Sequence, residues 1–141
     1  MTINDIINGI CLALSSNFGD EREIYTEEVE QGLSDGSFVI VCLNPTNSRF
    51  FGNRYFRTNQ FCIHYFPKSD EPKSECHDIL EDLYDVLELI EVDGDLVRGT
   101  NMNSEMDDGV LHFFVNYDFF TIHKTDETFM EDFDQSFDVK G

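Results

Sequence analysis

The chain has 141 residues, with 9 Lys+Arg against 29 Asp+Glu and a formal net charge of -20. That length suits one domain able to bury a core, and 14 Phe with 5 Tyr argue for a folded chain rather than a solvating polyanion. A body this acidic repels phosphate, so sequence-specific duplex binding, which depends on Lys and Arg neutralising phosphates, is excluded as its main business.

In chain order, the first element reads as an amphipathic helix. Ile3, Ile6, Ile7, Ile10 and Leu14 fall on one helical face. Thr2 with Asp5 forms a capping-box pattern at its start, and Gly19 stops it. The stretch around it has no basic leader and no apolar run of membrane length. With four cysteines and no C-x-x-C pair, an intracellular protein with reduced thiols and no membrane partner is expected.

Two strands follow, Ile24 to Val29 and Ser37 to Leu43, joined through the turn signal Ser34-Asp35-Gly36. "VIVCL" is apolar on both faces, which predicts a central strand, and Pro45 is expected to end it. Residues 44 to 53 carry Pro, Gly and three Asn and read as a loop. Arg54 to Phe66 is then a long strand, with Phe61, Ile63 and Tyr65 on one face and Cys62, His64 and Phe66 on the other.

Ile79, Leu80, Leu83, Val86, Leu87 and Ile90 mark a second helix, with Asp78, Glu81, Asp82, Asp85 and Glu88 opposite them. Pro72 opens it and Gly94 is expected to close it. A hairpin comes next: Asp95 to Met106, the turn Asp107-Asp108-Gly109, then Val110 to His123. The order is α-β-β-β-α-β-β, an α+β domain of antiparallel or mixed sheet with two main helices. Its expected extent is residues 1–124. An acidic tail, 125–141, carries Phe129, Met130, Phe133 and Phe137 at about helical spacing, which makes Phe129, Phe133 and Phe137 candidates for docking on a neighbour.

Chemistry-bearing residues are sparse. Cys62-x-His64 and Cys76-His77 offer four soft ligands. The second pair is adjacent on a helix start, where side chains diverge by about 100°, and convergence on a zinc is not expected. No cysteine sits at a glycine-flanked elbow, and the acids along the second helix form a solvated face. No catalytic residue, metal site or cofactor is therefore expected.

The feature left over is a window from Gly36 to Ser69 without a single Asp or Glu. Within it Arg49, Arg54 and Arg57 are interleaved with Phe50, Phe51, Tyr55 and Phe56. The plainer reading is core aromatics with ordinary surface arginines. The sharper reading is a protein interface, because Arg, Tyr and Phe are enriched at interface centres. Arg49, Phe50, Phe51, Arg54 and Arg57 are the candidate contact residues. An Arg-bearing segment that meets an acidic helix face on another copy makes a head-to-tail contact, which closes into a ring.

The element order, with "VEQGLSDGSFVI", "NRYFRTNQFCIHYFP" and "EMDDGVLHFFVNYDF", resembles the tail terminator family of long-tailed phages and phage tail-like particles. The likeness runs from residue 2 to about residue 124 and rests on fold signatures, Tyr65-Phe66-Pro67 before an acidic helix among them. It implies a structural virion protein, assembled in the host cytoplasm. Such a protein forms a homo-hexameric ring on the tail tube protein, stops tube growth and meets a neck or head-completion protein. In contractile tails it also touches the tail sheath protein. DNA passes through the lumen unread. Two other classes fit the residues less well: a small acidic DNA-mimic or protein-binding module, and a thiol or metal hydrolase.

Overall fold

The computed structural model describes residues 1–19, 22–26 and 35–122. Helix α1 spans Ile3–Phe18. Thr2 caps it as the sequence predicts: its Oγ1 accepts from the Asp5 amide at 3.1 Å, and the Asp5 carboxylate accepts from the Thr2 amide at 2.9 Å. Ile6, Ile10 and Leu14 form its buried stripe.

Strand β1, Ile24–Tyr25, runs parallel to β2, Phe38–Phe51, and β2 pairs antiparallel with β3, Arg54–Tyr65. The rest of the first expected strand, residues 27–29, and Ser34 lie outside the described residues. The expected loop from 44 to 53 is instead the outer half of β2. Pro45 sits in a bulge between Leu43 and Thr46, where no ladder amide is required. Asn44 takes φ 42° there. The strand then resumes as a long hairpin arm turned by Gly52 and Asn53.

Helix α2, Pro72–Val86, ends earlier than its apolar stripe suggests. Ile90 lies in β4, Leu89–Val92, which pairs with β5, Asp95–Arg98. Asp93-Gly94 makes their turn, with both residues at positive φ, so Gly94 closes a hairpin and not a helix. At Gly99 the chain leaves this small sheet: its amide donates to the Glu88 carbonyl, and a Cβ there would lie 2.6 Å from the Leu87 carbonyl oxygen. It then enters β6, Thr100–Asp107, and β7, Val110–Asn116.

The last strand is also interrupted. β8, Phe119–Ile122, pairs with residues 54–57 of β3, while β7 pairs with residues 60–65. Asn59, fully buried, fills the gap between them. Its side-chain amide donates to the Tyr117 carbonyl at 2.9 Å, and its backbone amide donates to Asp118 Oδ1 at 3.0 Å. The Tyr117 ring stays in the core and its hydroxyl donates to the Leu87 carbonyl at 2.6 Å. The main sheet runs β1-β2-β3-β7-β6, with β8 on β3.

One sheet face carries Phe38, Ile40, Phe61, Ile63, Tyr65, Leu111, Phe113 and Val115, all buried. Both helices and the β4–β5 hairpin pack on it to complete the core. The other face carries Val39, Val41, Cys62, His64, His112 and Phe114, following the two-residue period. The α+β architecture expected from the sequence is what the chain adopts, and no helix among the described residues is long and apolar enough to cross a membrane.

Candidate functional site: the hairpin tip

The β2–β3 arm continues past the end of the core and ends in an exposed aromatic cluster. Phe50 is 64% exposed and Phe51 77%, and on β8 Phe120 is 58% and Ile122 60% exposed. Phe120 binds the cluster together. Its ring centroid lies 5.3 Å from Phe50, edge-on, and 4.8 Å from Phe56. Strand register places Phe56 opposite Phe120 and Arg54 opposite Ile122, so one patch draws on two elements far apart in sequence. A contiguous exposed apolar patch on a small protein marks an interaction surface.

The five expected contact residues divide into two groups. Phe50, Phe51 and Arg54 are exposed at the tip. Arg49 is exposed too, but its guanidinium Nε donates to the Gly52 carbonyl at 2.8 Å and so braces its own turn. Arg57 points to the core side, half-buried, with its guanidinium carbon 5.3 Å from the Phe119 ring centroid. Phe120 and Ile122 were not among the expected contacts. Their alternation with Phe119 and Thr121 was legible, but which face stood free depended on pairing with the hairpin arm. Phe129, Phe133 and Phe137 lie outside the described residues.

Away from the tip, the two soft-ligand pairs do not converge. Cys76 is buried in the core beneath α2 and His77 is exposed on that helix, whereas Cys62 and His64 sit on the opposite sheet face. The acids Asp78, Glu81, Asp82, Asp85 and Glu88 are all exposed. α2 begins where β3 ends, about 36 Å along the strand from the arginine-bearing tip.

A polar lock that the sequence reading missed fixes the start of α2. The Glu75 carboxylate accepts from the Tyr65 hydroxyl, and also from the Lys68 amide at 3.1 Å and the Ser69 amide at 2.8 Å. Arg22 Nη1 donates to the Tyr65 oxygen at 2.9 Å. Burial works against the Glu75 charge, but the hydrogen bonds from Tyr65, Ser69 and Lys68 outweigh it and hold its pKa at about 2. Burial and the neighbouring carboxylate push the Tyr65 hydroxyl up to about 12. Because the folded pKa lies below the unfolded one, the lock contributes fully above about pH 4.5 and is lost as pH falls towards 2. Glu75→Gln should cost about 1–2 kcal/mol near neutral pH, after solvent screening is allowed for. Denaturant unfolding checks this: the gap to wild type should narrow as pH drops from 5 to 3, and a gap independent of pH would exclude the lock.

The sequence profile of the phage tail terminator proteins matches residues 5–128. Comparison with curated proteins finds no match. Among the solved structures that align, one does so at 10% identity, over 89% of this chain and 99% of that one, with a TM-score of 0.45, which carries no functional weight. A match over most of the chain, on a fold that exposes an aromatic patch at one end and an acidic helix face at the other, has a plain consequence: this chain belongs to the phage tail terminator protein family, a family of structural proteins acting at the end of the phage tail.

Proposed function

We propose that the protein caps the tail tube as a homo-hexameric ring, ends tube polymerisation and forms the tail side of the neck interface. The observation that carries this reading is the segregation of its surface. An aromatic, arginine-bearing tip projects from one end of β3, and the acidic face of α2 starts at the other. Unlike patches within one chain suit head-to-tail contacts, which close into a ring when the rotation allows.

A seat for the tip lies at the C-terminal end of α2, whose Val86 lines it. A groove of about 670 Å³ lies between α1 and the β4–β5 hairpin. Exposed Leu12, Leu89 and Leu96 line it beside Glu91 and Asp93. Apolar side chains with an acidic rim complement aromatic side chains with an arginine rim. The -20 net charge suits a lumen through which DNA slides without adhering. The terminator domain is assigned to residues 1–124. The tail, 125–141, through Phe129, Phe133 and Phe137, is assigned to docking on a neighbouring subunit. The remaining partners in this proposal are the tube protein, a neck protein and, in contractile tails, the sheath.

Light scattering on the purified protein at low and moderate salt tests the ring. Six copies of a 16.3 kDa chain give about 98 kDa for a closed C6 assembly. A species of that mass, or a monomer that converts to it when tubes are added, is expected. A monomer indifferent to tubes would favour the acidic mimic, with host nucleic-acid-binding proteins as the partners to try.

A further inference from the structure

The outer sheet face brings together three ligand-type side chains from two strands. Cys62 and His64 are two residues apart on β3 and share a face. His112 lies directly opposite His64 on β7. The two imidazole rings meet edge-on with centroids 4.5 Å apart. The Cys62 sulfur and a ring nitrogen from each histidine all lie within 4.8 Å of one another. A tetrahedral zinc with bonds of about 2.0–2.3 Å spaces its ligand atoms about 3.3–3.8 Å apart, so small side-chain rotations close the set.

The surroundings also suit an ion. Glu105 on β6 is the register partner of His112 and so shares its face; its exposed carboxylate lies outside the 4.8 Å cluster and has to swing in to take a fourth position. Val41 and Phe114 flank Cys62 on the neighbouring strands, and Val39 flanks His64. These apolar neighbours limit the access of competing water. Binding has to displace the proton of the buried Cys62 thiol, because a thiol bound to a metal is deprotonated.

We propose that Cys62, His64 and His112, with Glu105 as fourth ligand, form a zinc site that ties β3 to β7 and β6. One thiolate, two imidazoles and a carboxylate are the donor set of a borderline-soft divalent ion, which favours zinc over calcium or magnesium. The proton of Cys62 is released to solvent on binding, and the histidines bind as neutral imidazoles. The site does not depend on the ring reading: it lies on the outer sheet face of a single copy.

The test uses the full chain, stripped of metal and titrated with Co²⁺ and then Zn²⁺ under reducing conditions. One equivalent of cobalt should bind with a sulfur-to-cobalt charge-transfer band and tetrahedral d–d bands, and zinc should displace it. Cys62→Ser should abolish the charge-transfer band, His112→Gln should weaken affinity at least about tenfold, and Cys76→Ser should keep both. Should Cys62→Ser fail to fold, judged by far-UV circular dichroism, His112→Gln on a half-exposed strand position carries the same test. No thiolate band in the wild type overturns the site. So does a band that persists in either Cys62→Ser or His112→Gln at unchanged affinity, because the cysteine or histidine would then be a bystander.

Discussion

Replacing Phe50 and Phe120 together by Ser should dissolve the assembly while leaving the subunit folded. Both side chains are more than half exposed and support each other at 5.3 Å. In a ring they would be buried twice over, against each other and against a neighbour. Removing a buried Phe from a contact costs about 1.5–3 kcal/mol in transfer free energy. Two such losses total about 3–6 kcal/mol, a 10²- to 10⁴-fold weaker subunit contact. In the isolated subunit the loss is confined to the ring contacts, about 0.5–1.5 kcal/mol. The measurement is a pair of titrations: assembly mass against concentration, and denaturant unfolding of the monomer. Unchanged assembly would remove the tip from the interface. A collapsed unfolding midpoint would mean that the patch is core. Arg49, Arg54 and Arg57 separate the same possibilities by charge. Arg54→Ser should weaken assembly most and make it less sensitive to salt. Arg57→Ser should act on stability, because Arg57 packs on Phe119.

Gly9→Ala should destabilise the subunit by about 1–3 kcal/mol, the cost of overpacking a closely fitted contact. Alanine is the better helix former by about 1 kcal/mol, so propensity alone predicts the opposite sign. What decides it is space. A Cβ at Gly9 would lie 2.8 Å from the Glu91 carbonyl oxygen and 2.9 Å from Val92 Cγ2. The oxygen belongs to the backbone of β4, so α1 and β4 would have to part. That separation opens the groove between α1 and the β4–β5 hairpin, and the variant should lose assembly affinity along with stability. Ser16→Ala, exposed on the same helix, should change stability by less than about 0.5 kcal/mol. Equal melting of Gly9→Ala and wild type would show that the helix does not approach β4 this closely.

What could be read from the sequence, and what could not, follows the range of the forces involved. The cap of α1 is a contact between Thr2 and Asp5, three residues apart, and the sequence displays it in full. The faces of β3 follow from strict alternation: Phe61, Ile63 and Tyr65 are buried on one side, as their spacing requires. The outer half of β2 was misread because Pro and Asn are loop residues in isolation. Here one bulge absorbs Pro45, and pairing with β3 outweighs local preference. The end of α2 was misread because Leu87 and Ile90 continue a helical period while serving a turn and a strand. The Asp93-Gly94 pair was the available signal, and it was taken for a helix stop.

The candidate site divides the same way. The arginine–aromatic window held the half of the exposed aromatic patch that β2 supplies, Phe50 and Phe51. Its second half, Phe120 and Ile122, joins only through the β3–β8 pairing, a contact across more than sixty residues. The Arg22–Tyr65–Glu75 lock and the Cys62–His64–His112 triangle are likewise products of register. Cys62-x-His64 was visible as a pair, but its natural companion was His112 across the strand and not Cys76-His77 in the next element.

Electron microscopy of polymerising tail tubes, with and without the purified protein, tests the central claim most directly. With the wild-type protein present, tubes should stop at a defined length distribution and carry one six-fold ring at a single end, and the Phe50→Ser/Phe120→Ser variant should leave ends bare and tubes growing. Tubes that grow unchecked beside wild-type protein, with no density at either end, would contradict it.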